Sequence, residues 1–105
     1  MSQQTLREVR DSLLQMNTIQ HEREFCERWL CKSECYLRTL KVNHIDASAD
    51  ALATVASKLG HYADELERSD QRHHRHHARE FKRLAQLCEQ SLFAQAERKW
   101  RSRAA

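Results

Sequence analysis

Not one proline interrupts this chain and only one glycine, Gly60, loosens it, so almost nothing in its 105 residues forces a helix to stop. Proline removes a backbone donor and clashes with the preceding turn, and a mid-helix glycine costs about 1 kcal/mol relative to alanine. Alternating apolar and polar runs, the mark of a half-buried strand, are absent too. The expected fold class is all-α.

Apolar spacing divides the chain into four to five helices, the last of them long. Thr5 and Glu8 make a capping box, and Leu6, Val9, Leu13 and Met16 follow at steps of three and four, predicting a first helix over about 4–16. Ile19 sits in the polar connection after it and is expected to tuck under the next helix. Phe25, Cys26 and Trp29 mark a second helix over about 21–30, with Cys31 and Lys32 as the turn. Ser33 can cap a third over about 33–42, carrying Tyr36, Leu37 and Leu40. Val42 to Ala47 reads as a loop, since Asn43 and Asp46 favour turns. Ser48 can cap a fourth, whose stripe of Leu52, Val55, Ala56 and Leu59 runs past Gly60 through Tyr62, Ala63 and Leu66 to about residue 68. Phe25, Trp29, Leu37, Leu40, Leu52, Val55 and Leu59 are expected to form one core.

Ser69 to His77 contains no apolar residue and is either a solvated helical connection or a break. From about 78 to 101 the stripe Phe81, Leu84, Cys88, Leu92, Ala96, Trp100 resumes, too apolar on one face to stand alone in water. It packs back on the domain or against a second copy. The organisation this gives is 1–68 as a helical domain with a helix-turn-helix core, 69–77 as a His-rich connection, and 78–105 as an amphipathic helix with a basic tip.

The net charge of +3 hides a polarity. Residues 1–71 hold nine Lys/Arg and twelve Asp/Glu, whereas residues 72–105 hold nine and three, with four histidines besides. A basic C-terminal third attracts an acidic partner, nucleic acid included, without naming it. No apolar run approaches the roughly 20 residues of a membrane span, and no signal-peptide pattern opens the chain. A cytoplasmic, soluble protein is expected, with Cys26, Cys31, Cys35 and Cys88 as reduced thiols.

Two short helices joined by a tight turn, the second presenting one face outward, make a helix-turn-helix arrangement. The stretch His21–Gly60 resembles the helix-turn-helix of Cro/CI-type (XRE-like) repressors. The residues that carry this are Phe25 followed by the small Cys26, Cys31 opening the turn, Ser33 as cap, Leu37 and Leu40 three apart, and a further helix from Ser48 with Leu52, Ala56 and Leu59-Gly60. Leu30 is a one-residue insertion relative to that pattern, a cysteine replaces the turn glycine, and Glu22 stands where glutamine is common. The chain also resembles short bacterial proteins of unknown function with an R-E-F…R-W-L…S-E-x-Y signature, here Arg23–Phe25, Arg28–Leu30 and Ser33–Tyr36.

The repressor resemblance implies that Glu34, Cys35, Tyr36 and Thr39 face base edges, and that Lys32, Ser33, Arg38, Lys41, Asn43 and His44 lie near phosphates. Tyrosine and threonine can touch thymine methyls, and glutamate can accept from cytosine N4. Phosphate contacts supply most affinity, and this face offers Lys32, Arg38 and Lys41 against Glu34.

His73 and His77 are four apart and could share a metal on one helical face, but no cysteine or carboxylate completes four ligands at a matching local spacing. The cluster reads as a solvated, titratable connection. Cys26, Cys31, Cys35 and His44 lack the paired knuckle spacing of zinc modules. Cys26 and Cys88 fall on apolar stripes and read as core residues, while Cys31 and Cys35 are candidates for exposed thiols. No glycine-rich phosphate loop or nucleophile–base order is present, so neither catalysis nor a cofactor is expected.

The expected function is a small non-catalytic DNA-binding regulator of double-stranded DNA. It would be a homodimer through its last helix, with Phe81, Leu84, Cys88, Leu92 and Trp100 at the interface. The alternative is a helical protein-interaction module, an adaptor or anti-regulator, that binds a protein partner and no DNA.

Overall fold

A computed structural model describes residues 2–104, the side chain of Ala104 excepted. It is all-α: α1 spans Ser2–Gln15, α2 begins as Glu22–Glu24 and continues as a π-helical turn over Phe25–Trp29, α3 spans Tyr36–Asn43, α4 Ala49–Glu67 and α5 Arg72–Ala104. Among the described residues there is no strand, and no helix is long and apolar enough to cross a membrane.

The chain lacks glycine where its helices end, and three other residues take the left-handed conformation instead: Asn17 (φ 60°), Cys31 (φ 56°) and His44 (φ 53°). After α1, Asn17 N–H donates to the Leu14 carbonyl and Thr18 N–H to that of Leu13, a Schellman closure. After α3, His44 and Ile45 repeat it on Lys41 and Leu40. Ser48 caps α4 as expected, its Oγ accepting from Ala51 N–H at 3.1 Å.

One core holds the molecule. Leu6, Val9 and Leu13 of α1, Phe25, Cys26 and Trp29 of α2, Leu37 and Leu40 of α3 and Leu52, Val55 and Leu59 of α4 are all buried in it, with Ile19 and Leu30 from the connections. Phe81, Leu84, Ala85 and Cys88 of α5 belong to the same cluster. The last helix therefore folds back: residues 68–71 reverse the chain, Ser69 Oγ accepts from Gln71 N–H at 3.2 Å, and α5 returns along α4. Its 33 residues amount to about 50 Å of helix, matching the molecule's longest dimension of 52 Å.

The structure corrects three local expectations. The turn before α3 is six residues, Leu30–Cys35, rather than Cys31 and Lys32 alone. Ser33 does not cap α3: the helix starts after Cys35, which makes no side-chain cap bond, and the Ser33 carbonyl instead accepts from Tyr36 N–H. The last helix begins at Arg72, not near residue 78. Leu30 closes the π-helical turn, its N–H reaching back five residues to the Phe25 carbonyl. That wider turn lets Phe25, Cys26, Trp29 and Leu30 all point inward.

Candidate functional site

Helix α3 is short and held from below by α1. Arg7 donates to the Leu37 carbonyl at 3.0 Å, and Gln3 Nε2 donates to the carbonyls of Leu40 (3.3 Å) and Ile45 (3.1 Å). With Leu37 and Leu40 buried, Arg38, Thr39, Lys41, Val42 and Asn43 face solvent, followed by His44 and Ile45.

The ten residues expected at a nucleic-acid surface divide accordingly. Ser33, Glu34, Arg38, Thr39, Lys41, Asn43 and His44 are exposed. Lys32 is half-buried, paired with Asp50 at 2.9 Å, and this contact raises its pKa. Cys35 is half-buried, with Arg38 donating to its Sγ at 2.9 Å. Tyr36 turns inward, and Ser48 N–H donates to its hydroxyl at 3.0 Å. Its hydroxyl is thus engaged within the chain, and its ring is half-buried. Glu34 faces out but is engaged by Arg23 at 3.1 Å, so its charge opposes a polyanion less than a bare carboxylate would.

A basic segment outside those ten residues lies close by. Gln95 Nε2 donates to the Ala47 carbonyl at 3.0 Å, and Arg98 pairs with Asp46 at 3.8 Å. These contacts bring the far end of α5, with Arg98, Lys99, Arg101 and Arg103, to the same end of the molecule as the α3–α4 loop. The charge polarity of the sequence was the signal for this segment, but only the fold-back sets it beside the α3–α4 loop.

The five expected interface residues also separate. Phe81, Leu84 and Cys88 are buried against the chain's own core. Leu92 is half-buried on the same core. Trp100 is 56 % exposed, and Phe93, one stripe over, is 70 % exposed.

Burial pushes the Cys88 thiol up to about 12, with Glu89 adding to the effect, and burial also raises Cys26. Cys31 is exposed. Among the described residues no three His, Cys, Asp or Glu side chains converge to hold a metal ion.

A second feature was invisible in the sequence because its walls come from distant segments. A cleft of about 500 Å³ opens between the α1–α2 connection, α2, the second half of α4 and the start of α5. Trp29 lies at its base, its ring 5.8 Å from Tyr62 and 6.2 Å, edge-on, from Phe81. The Lys58 ammonium sits 4.5 Å over the indole and donates to the Arg28 carbonyl at 2.7 Å. His73, His74 and His77 line its α5 side. The histidine run is thus the first turns of α5, with one side facing a cleft.

No curated protein and no solved structure matches the chain. A family model described as a family of unknown function (DUF6626) matches residues 6–101, nearly the whole length, and the chain belongs to that family.

Proposed function

We propose that this chain is a small, non-catalytic DNA-binding protein that regulates transcription as a dimer, with α3 presented to the major groove in helix-turn-helix fashion. The observation that carries this reading is the shared end of the molecule: exposed Arg38, Lys41 and His44 on or after α3, and Arg98, Lys99, Arg101 and Arg103 on α5 beside the α3–α4 loop. Arg38 and Lys41 on α3, joined by Lys99 and Arg103 and by Arg98 and Arg101, which are paired with Asp46 and Glu97, would supply the phosphate contacts that α3 alone is too weakly charged to provide.

Of the four expected base-edge residues, Thr39 and Glu34 are the exposed ones, on and just before the first part of α3, and Cys35 and Tyr36 are half-buried. Few readers among many phosphate contacts make a protein whose affinity exceeds its sequence discrimination. The second copy would meet the first through exposed Phe93 and Trp100, setting two α3 helices on half-sites about 34 Å apart.

A second reading keeps the fold as a protein-interaction module without DNA binding. Exposed Val42, Ile45, Phe93 and Trp100 favour it, since large apolar side chains in solvent suit a protein partner. Incubating the purified protein with genomic fragments from around its own gene, with competitor DNA present, separates the two. Retained fragments support the regulator reading, and no retention at low salt moves the assignment to the interaction module.

A further inference from the structure

We propose that the cleft lined by Trp29, Tyr62 and Phe81 binds a small planar organic acid, an aromatic carboxylate of one or two rings. The proposal is independent of DNA binding, because the cleft lies towards the end of α4 opposite Ser48.

Shape sets the apolar part. The volume of about 500 Å³ falls within the range of small-molecule sites. Its walls are aromatic, with Trp29 buried under Lys58 and Tyr62 41 % exposed, so a flat ring laid against Tyr62 covers apolar surface that water now touches.

Charge sets the polar part. Arg28 and Lys58 line the cleft, opposed by Glu24 and Glu65, and the rings of His73, His74 and His77 complete its α5 wall. Both carboxylates have partners in their own chain: Glu24 accepts from Gln20 N–H at 2.9 Å, and Glu65 pairs with Arg68 at 3.4 Å. The Arg28 guanidinium has no carboxylate partner among the described residues, and a guanidinium binds a carboxylate through two parallel hydrogen bonds. Arg28 is therefore the uncommitted charged donor at the rim. A ligand cation is disfavoured as well, because the face of the indole that would attract it already carries the Lys58 ammonium.

Calorimetric titration of the full chain tests this with three probes of one shape: 2-naphthoate, the neutral 2-naphthamide and the cationic 2-naphthylmethylammonium. The naphthoate should bind with one-to-one stoichiometry and shift the Trp29 indole N–H resonance. The amide and the ammonium should bind about tenfold more weakly or worse, as expected when a charge-assisted hydrogen bond is removed. Arg28→Gln, an exposed change that leaves helical circular dichroism intact, should weaken the naphthoate about tenfold without altering amide binding. The proposal is overturned by absence of saturable naphthoate binding into the millimolar range, by equal affinity for the three probes, or by an Arg28→Gln protein that binds naphthoate like the parent.

Discussion

Tyr36 and Ser48 lock the start of α4 to the start of α3. The Tyr36 hydroxyl donates to Ser48 Oγ at 3.3 Å and accepts from Ser48 N–H at 3.0 Å, while the same Oγ accepts from Ala51 N–H at 3.1 Å. One phenol thus closes the α3–α4 loop and steadies a helix cap. Tyr36→Phe keeps the ring and removes both hydrogen bonds, at an expected cost of about 1–2 kcal/mol in denaturant unfolding. It should leave any DNA sequence preference unchanged. A cost too small to measure, together with an altered preference, would return Tyr36 to the recognition surface.

Trp29 ties α2 to α4 and α5 through Tyr62 and Phe81 and is 5 % exposed. Trp29→Ala should cost about 3–5 kcal/mol, close to the whole stability of a small domain. Trp100→Phe should cost little and leave a blue-shifted emission from Trp29 alone. A red-shifted maximum in that variant would contradict the buried indole.

Glycine and the left-handed backbone are mismatched in this chain. Gly60 lies within α4, where an added Cβ would meet nothing within 4 Å, whereas Cys31 holds φ 56° with a side chain. Gly60→Ala should stabilise by about 0.5–1 kcal/mol through helix propensity. Cys31→Gly should stabilise by about 1 kcal/mol by relieving the left-handed strain. Thermal unfolding midpoints above the parent's for both variants are the expected result.

The thiols should fall into two classes. At neutral pH a disulfide reagent should modify the exposed Cys31 first and the half-buried Cys35 more slowly, with Cys26 and Cys88 reacting only on unfolding. The folded Cys88 thiol titrates at about 12 against an ordinary 9.0, a raised value. Its stabilising contribution is therefore complete below the unfolded pKa and is lost as pH rises towards the folded one. Unfolding free energy should decline above about pH 9, and more gently in Cys88→Ala, which has no thiol to ionise. An identical slope in the two proteins would remove Cys88 from the alkaline limb.

The helices were legible wherever an apolar stripe or a cap was local. Leu6, Val9 and Leu13 fixed the inner face of α1, Ser48 marked the start of α4, and Cys26 and Cys88 fell on buried stripes. The start of α3 was not legible, because Ser33 offers a cap only if the backbone enters the helix there, and buried Leu30 and left-handed Cys31 carry the chain further. The first turns of α5 contain only polar residues before Ala78, so no period could reveal them. Whether Phe81, Leu84 and Cys88 face their own domain or another copy depends on the reversal at 68–71, a long-range fact that periodicity does not carry. The cleft escaped for the same reason: Trp29, Tyr62 and His73 are far apart in sequence.

The salt dependence of DNA binding tests the central claim most directly. Arg38 and Lys41 are exposed, and exposed charges contribute little to stability, so Arg38→Ala with Lys41→Ala should fold like the parent. Fluorescence anisotropy with labelled duplex DNA should show the parent's affinity falling steeply with salt. In the double variant the slope of log K against log salt should be shallower by about two units, close to one for each phosphate no longer neutralised. A parent that binds no duplex at low salt, or a double variant with the parent's affinity and slope, would contradict α3 as a DNA-reading helix.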